Sequence, residues 1–183
     1  MKFKNIAFVL MTLLAAGCAT HLSKPSKSPE PTLIKLGEFQ SVEMKTVGIS
    51  ERFAGNAANQ RALKKINEYL FRDMPMLFPG LKRIEKGEEF SSSGARTLRI
   101  TPYIKEVKFI GGGARFWAGA MAGSSAILMQ TTYEDSSTGK TIGDPEFYRA
   151  PGAYSGAWTM GAMDNRMLED ISRDIIDYSS HNR

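Results

Sequence analysis

The stretch NAANQRALKKINEYLFRDMP (residues 56–75) decides the fold class of this chain. Its apolar side chains recur at spacings of three and four residues, which is typical of a helix that packs one face against a core. The sequence predicts that Asn56 opens this helix and that Pro75 closes it. The apolar positions of the predicted helix are Ala62, Leu63, Ile66, Tyr69, Leu70 and Met74.

A long strand is predicted where apolar residues alternate with polar ones over residues 98–104. The alternation continues in the opposite phase at residues 107–109, which indicates a bulge or bend near Lys105 and Glu106. Pro102 favours an edge position or that bulge, because proline cannot donate to a sheet ladder.

Further strands and a hairpin complete the predicted sheet. The turn Asp135–Lys140 joins two strands, and Asp144–Pro145 interrupts the second of them. These further strands are predicted over residues 37–47, 81–84, 126–134 and 141–148.

A second amphipathic helix is predicted to begin at the capping residue Asp164 and to run to Tyr178. The order strand, helix, strands, helix predicts an α+β fold. We expect a mostly antiparallel sheet packed by two amphipathic helices on one face, after a signal peptide and a flexible tether.

The N-terminus has the pattern of a secretory signal peptide, predicted over residues 1–17. Lys2 and Lys4 precede a short apolar run, and small residues follow it. The ending Ala16-Gly17-Cys18 resembles the bacterial lipoprotein box. That resemblance implies a diacylglyceryl group on the Cys18 sulfur, cleavage before Cys18 and an acyl chain such as palmitate on the new amine. The alternative is an ordinary buried cysteine near a generic cleavage site.

Lipidation of Cys18 would anchor the protein to a membrane through its acyl chains, since two or more chains hold stably. In bacterial lipoproteins an aspartate after the cysteine retains the protein at the inner membrane. Ala19 therefore predicts an outer-membrane protein that faces the periplasm.

Residues 18–32, the lipidated cysteine and a proline- and serine-rich stretch, are predicted to form a flexible tether because they can bury little apolar surface. Residues 33–183 are predicted to form a single α+β periplasmic domain.

Composition narrows the function classes. The chain of 183 residues is 42% hydrophobic and carries a net charge of +5. Removal of Lys2 and Lys4 leaves 22 basic and 19 acidic residues, a net charge of +3. That charge is ordinary, so we expect no nucleic-acid partner.

Catalytic and metal patterns are weak. His21 and His181 lie near the ends of the mature chain, where neither is placed to serve as a general base. Ser137 and Lys140 match a Ser-x-x-Lys spacing, but that spacing aligns the two side chains only on a helix, and here it falls in a predicted turn.

Asp170, Asp174 and Asp177 share a helix face with arginines, which favours a salt-paired surface over a metal site. We expect no catalytic residue, no metal and no cofactor.

The most distinctive segment is GGGARFWAGAMAGSS (residues 111–125). It fits no phosphate-binding template, because Phe116 stands where a third glycine would be needed. One interpretation is a close-packed structural turn whose aromatic residues fill the core. The other is an exposed loop that inserts at a membrane or binds a partner. Its candidate partner-binding residues are Arg115, Phe116, Trp117, Gly119 and Gly123.

At this segment the sequence resembles the bacterial lipoproteins of domain of unknown function 4410. The resemblance is carried by residues 113–116, Gly119, residues 123–125, the Thr138-Gly139-Lys140 turn and the terminal helix. Asp144-Pro145 departs from the family, which usually continues that strand. The resemblance implies a compact domain on a lipid anchor and supplies no catalytic residue.

We therefore expect a non-catalytic lipoprotein that binds another envelope protein or assists envelope assembly, with its oligomeric state left open. The alternative is a small periplasmic hydrolase or ligand-binding domain whose active site the sequence does not place.

Overall fold

The computed structural model describes residue 22, residues 24–25, 29–91, 96–109, 125–150 and 162–183, with the backbone alone at 162–164. Three helices and seven strands lie in these ranges. The helices are α1 (Glu51–Ala54), α2 (Ala57–Leu77) and α3 (Ala162–His181). The strands are β1 (Ser41–Lys45), β2 (Gly48–Ile49), β3 (Lys82–Ile84), β4 (Thr97–Lys108), β5 (Ala126–Asp135), β6 (Lys140–Gly143) and β7 (Glu146–Arg149).

The strands form one mixed sheet in the order β3-β1-β4-β5-β6, with β2 beside β4 and β7 beside β5. The prediction of an α+β fold is confirmed, but the prediction of a mostly antiparallel sheet is wrong. Strand β1 runs parallel to β3 and β4, and β2 runs parallel to β4. The reason is the connection through α2, which carries the chain back along the sheet so that β3 enters in the direction of β1.

Helix α2 follows the predicted periodicity. The Asn56 side chain caps it by accepting from the backbone N–H groups of Ala58 (2.8 Å) and Asn59 (3.4 Å). The predicted end at Pro75 is wrong, because the helix continues to Leu77. Proline lacks one donor but does not stop the last turn, which the Phe78 N–H closes on the Met74 carbonyl at 2.9 Å.

The long strand β4 has the predicted bend. Its register with β5 shifts between Ile104 and Glu106, which confirms the change of phase read from the sequence. Pro102 is predicted at an edge or at the bulge and lies at neither, because β4 runs between β1 and β5 and the register shift falls between Ile104 and Glu106. Pro102 is tolerated there since the neighbour on one side is interrupted: β1 ends its pairing at Ile100 and β2 begins at Tyr103.

The hairpin between β5 and β6 is confirmed, with its turn over residues 136–139 and Gly139 at a φ of 65°. Asp144 and Pro145 separate β6 from β7 as predicted, and both strands pair with β5. Among the bounds that differ from the prediction, two lie at the start of an element. The first strand begins only at Ser41, after a 3₁₀ turn at Leu36–Glu38, and α3 begins at Ala162 rather than after a cap at Asp164.

One hydrophobic core joins the sheet to both long helices. Alternate side chains of β4 and β5 point into it, and one face of each helix covers them. The fully buried members with the largest side chains include Ile66, Leu70, Met74, Leu98, Ile100, Ile104, Ile127, Met129 and Tyr133. Among the described helices none is long and apolar enough to span a bilayer.

Residues 29–36, here called the strap, fasten the start of the domain to its end. The Leu33 N–H donates to the Ile142 carbonyl (2.7 Å), and the Thr32 N–H donates to Oδ1 of Asn182 (2.8 Å). The Tyr178 hydroxyl donates to the Glu30 carbonyl at 2.7 Å. The strap therefore lies along strand β6 and the C-terminus of α3.

Candidate binding face

The face of the sheet opposite the two long helices, here called the outer face, is the candidate binding surface of the described chain. Because side chains alternate along a strand, the residues between the core positions of β4 and β5 point to it. It is mostly polar and half-buried, and Tyr103 is 39% exposed. Its polar members are Arg99, Thr101, Tyr103, Lys105, Gln130, Thr132, Glu134 and Glu146.

Charges on the outer face are paired with opposite charges. Arg99 contacts Glu134 at 3.0 Å, and Lys105 contacts Glu146 at 2.5 Å. The Asp144 carboxylate accepts from Gln130 at 2.5 Å and from Thr132 at 2.8 Å. The face therefore offers hydroxyl, amide and aromatic groups among neutralised charges rather than a strong field of one sign.

A buried carboxylate joins the outer face to the loop that follows β3. Glu43 is 5% exposed, and its Oε2 accepts from the Ser91 N–H at 2.9 Å. Its Oε1 accepts from the Ser91 hydroxyl and from Lys82 Nζ, the latter at 3.2 Å. Burial raises the pKa of the Glu43 carboxyl, but the hydrogen bonds from Ser91 and Lys82 outweigh burial and hold this pKa below its ordinary value.

The Ser91 hydroxyl and Lys82 Nζ lie 2.6 Å apart, within the reach that a nucleophile and its base require. A base must offer a lone pair to the hydroxyl proton. Lys82 instead donates to the Ser91 oxygen, and Glu43, which accepts the proton, is a weak base because its pKa is lowered. The arrangement fastens the loop to the sheet and does not activate Ser91.

Arg99 stands at the centre of the loop contact. Its guanidinium lies over the Phe90 ring, 5.2 Å from the centroid, and Nη2 donates to the Ser91 carbonyl at 3.0 Å. Its Nε is buried and has no hydrogen-bond partner among the described residues. A buried donor of this kind in a folded protein is usually satisfied by an ordered water molecule.

A groove of about 590 Å³ runs between the N-terminal segment and strands β6 and β7. Its lining combines prolines with carboxylates and the Gln130 amide. Its lining includes Pro25, Pro29, Pro31, Gln130, Asp144 and Glu146. Because it adjoins the outer face, it extends the polar surface available to a ligand.

A second buried carboxylate lies at the hairpin. Asp135 is 1% exposed and accepts from Arg96 (Nη2, 2.8 Å) and from the Ser137 hydroxyl (2.6 Å). Burial raises the pKa of Asp135, but the bonds from Ser137 and Arg96 outweigh it, so the pKa lies below its ordinary value. Ser137 is thus a partner of Asp135 within the predicted turn.

Several residues singled out in the sequence lie outside the described ranges, so the two interpretations of the glycine-rich segment stay open. They are Cys18, Arg115, Phe116, Trp117, Gly119 and Gly123.

On α3, Asp174 pairs with Arg149 at 2.5 Å and Asp170 lies 3.8 Å from Arg173, as the salt-paired interpretation predicts. Across the described residues, no group of three or more histidine, cysteine, aspartate or glutamate side chains is placed to bind a metal.

Sequence reasoning missed Glu43 and Asp135. The available signal was a charged residue at a strand position: Glu43 stands between the core residues Val42 and Met44 and so had to point to the opposite face. Nothing in the sequence indicated that Ser91, 48 residues later, would cover it.

Comparisons with known proteins support the fold. No family model matches the chain and no curated protein matches it. Among solved structures, protein XCC0632 from Xanthomonas campestris, described as DUF330, has a TM-score of 0.52 at 8% identity. The alignment covers 85% of this chain and 95% of that one.

Two further similar structures have lower scores. The PelC dodecamer from Paraburkholderia phytofirmans has a TM-score of 0.47 at 12% identity, covering 84% of this chain and 94% of that one. A minor lipoprotein from Acinetobacter baumannii has a TM-score of 0.35 at 12% identity, covering 77% and 94%. The shared α+β fold therefore rests on the Xanthomonas protein, and membership of domain of unknown function 4410 stays a prediction.

Proposed function

We propose that this chain is a non-catalytic binding module, anchored in the outer membrane by acyl chains on Cys18 and facing the periplasm, that contacts another envelope protein. The observation that carries the binding role is the outer face: both long helices pack on the other side of the sheet, and its charges are already paired. Covering these pairs removes them from water at a cost, but at a smaller cost than covering isolated charges would have.

The proposed contact surface has two parts. One is the outer face around Tyr103 and Gln130. The other is the glycine-rich segment with Arg115, Phe116, Trp117, Gly119 and Gly123. The glycine-rich segment lies between Lys108, the last residue of β4, and Ala126, the first residue of β5. These two residues pair with each other, so both ends of the segment meet the sheet at the same end.

A photo-crosslinking experiment in cells tests the proposal. A crosslinking amino acid at Tyr103 should capture a specific envelope protein, whereas the same group at Met76, which is 75% exposed on α2, should not. Replacing Phe116 and Trp117 with alanine should reduce recovery of that partner, because the glycine-rich segment is one part of the proposed contact surface. Unchanged recovery from a folded variant would exclude this segment from the contact. Equal capture from Tyr103 and Met76 would contradict the proposed face.

A small ligand is the second candidate, because the groove beside Asp144 and Glu146 has a suitable volume. A thermal-shift screen of cell-wall fragments and small cations tests this alternative. A stabilisation that Gln130→Ala abolishes would favour the ligand-binding function over the protein partner.

A further inference from the structure

Leu22, in the stretch predicted to be a solvated tether, is buried. It is 7% exposed and packs against Ala126 and Leu128 at the start of β5. Tyr148 and Ala150 complete this small apolar patch, which is separate from the main core. Leu33, by comparison, is 82% exposed although it has the same side chain.

The position of Leu22 sets the reach of the lipid anchor. Only four peptide steps separate Cys18 from Leu22. Four extended residues span about 14 Å at most, whereas the twelve steps from Cys18 to Glu30, where the strap is fastened by Tyr178, span about 42 Å. When Leu22 packs against Ala126 and Leu128, the tether from Cys18 to the domain is therefore short; without this contact it is long.

We propose that Leu22 is a docking residue that shortens the tether and holds the Ala126 end of the sheet against the lipid headgroup layer. The inference rests on the proposed lipidation of Cys18. Lys24, exposed two residues away, adds an attraction to anionic headgroups.

The fold fixes which parts of the domain then lie near the lipid. Strand β5 runs from Ala126 to Asp135, so its two ends are about 30 Å apart. Helix α2 begins near the Ala126 end. The Ser50 N–H, which directly precedes the short helix α1 and lies six residues before the Asn56 cap of α2, donates to the Ile104 carbonyl in the half of β4 that pairs with the start of β5. Lys140 pairs with Asp135 at the opposite end.

Energy transfer to lipid measures this orientation in the full-length lipidated protein. The protein is reconstituted in vesicles of phosphatidylethanolamine and phosphatidylglycerol that contain a headgroup-labelled acceptor lipid. A donor dye is attached through Ala57→Cys or Lys140→Cys, both exposed positions, since the Cys18 sulfur is blocked by its lipid. Each label is combined with Leu22→Ser or with the matched control Leu33→Ser.

We expect stronger transfer from position 57 than from position 140. Leu22→Ser should lower transfer from position 57 about twofold as the tether lengthens. Leu33→Ser should leave it unchanged. Equal transfer from the two positions, or equal effects of the two serine variants, would overturn the inference.

Vesicle flotation separates this inference from the proposed anchor. A protein that does not float shows that the anchor itself is wrong, and the docking role falls with it. A protein that floats but shows equal transfer from both positions leaves the anchor intact and overturns only the role of Leu22. Circular dichroism checks that Leu22→Ser is folded. If it is not, the comparison of the two labels in the unaltered tether decides the question.

Discussion

The hydroxyl groups of Tyr133 and Ser179 lie 2.7 Å apart in the core and join strand β5 to helix α3. Ser179 donates its own proton to the Ile175 carbonyl at 2.9 Å, so Tyr133 is the donor between the two hydroxyls. Burial raises the pKa of Tyr133, although the bond to Ser179 opposes this, and the phenol therefore stays protonated. This bond orients α3 on the sheet.

Replacing Tyr133 with phenylalanine should lower the free energy of unfolding by about 1 kcal/mol, because a buried hydrogen bond is lost and the Ser179 oxygen is left without its donor. Urea denaturation measures the change. Tyr103→Phe, at an exposed position of the outer face, should have almost no effect. A loss for Tyr133→Phe no larger than that for Tyr103→Phe would show that the buried bond stabilises the fold no more than an exposed hydroxyl does.

Glu43→Gln should loosen the loop over the outer face. The amide cannot accept from the Ser91 N–H, the Ser91 hydroxyl and Lys82 as the carboxylate does, so we expect a loss of about 1–3 kcal/mol. Hydrogen exchange at the Ser91 amide should accelerate together with this loss. Glu89→Gln is the matched control, because Glu89 is 90% exposed and lies 3.6 Å from Lys45. Unchanged exchange at Ser91 in Glu43→Gln would contradict the assignment.

Asp135 should make the free energy of unfolding fall as the pH is lowered into the acid range. Its pKa is lower in the folded than in the unfolded chain, so its contribution is present above the unfolded pKa and is lost as the pH falls through the folded pKa. The destabilisation caused by Asp135→Asn should therefore be largest near neutral pH and should shrink towards about pH 3. Thermal unfolding at several pH values measures it, with exposed Asp177→Asn as the control. A difference that does not change with pH would contradict the prediction.

Gly143→Ala should displace the strap. A Cβ at Gly143 would lie 2.8 Å from Thr32 Cγ2 and 3.2 Å from the Tyr178 hydroxyl. Thr32 and Tyr178 must therefore shift, which weakens the hydrogen bonds that hold Thr32 and Glu30. We expect faster tryptic cleavage at Lys35. Gly55→Ala is the matched control, because nothing lies within 4 Å of its Cβ position. Equal cleavage rates in the two variants would show that the strap is not fastened there.

Local patterns predicted the elements well. The periodicity of α2 and the change of phase near Lys105 are properties of short windows of sequence, and the structure confirms both. The continuation of α2 past Pro75 was not predicted, because proline removes only one backbone hydrogen bond from a helix that is already formed.

Pairings between distant segments could not be predicted. The parallel pairing of Glu43 with Lys82 depends on how α2 crosses the sheet, and the contact of Glu43 with Ser91 depends on the loop that follows. The burial of Leu22 could not be predicted either, because its partners Ala126 and Leu128 lie more than a hundred residues away in the sequence.

Mass spectrometry of the N-terminal peptide tests the account most directly, because the envelope location and the role of Leu22 both depend on the anchor. The account predicts that the mature chain begins at Cys18 and carries a diacylglyceryl group on the sulfur and an acyl chain on the amine. A Cys18 with a free thiol and an unmodified amine, or a chain that retains residues 1–17, would contradict it.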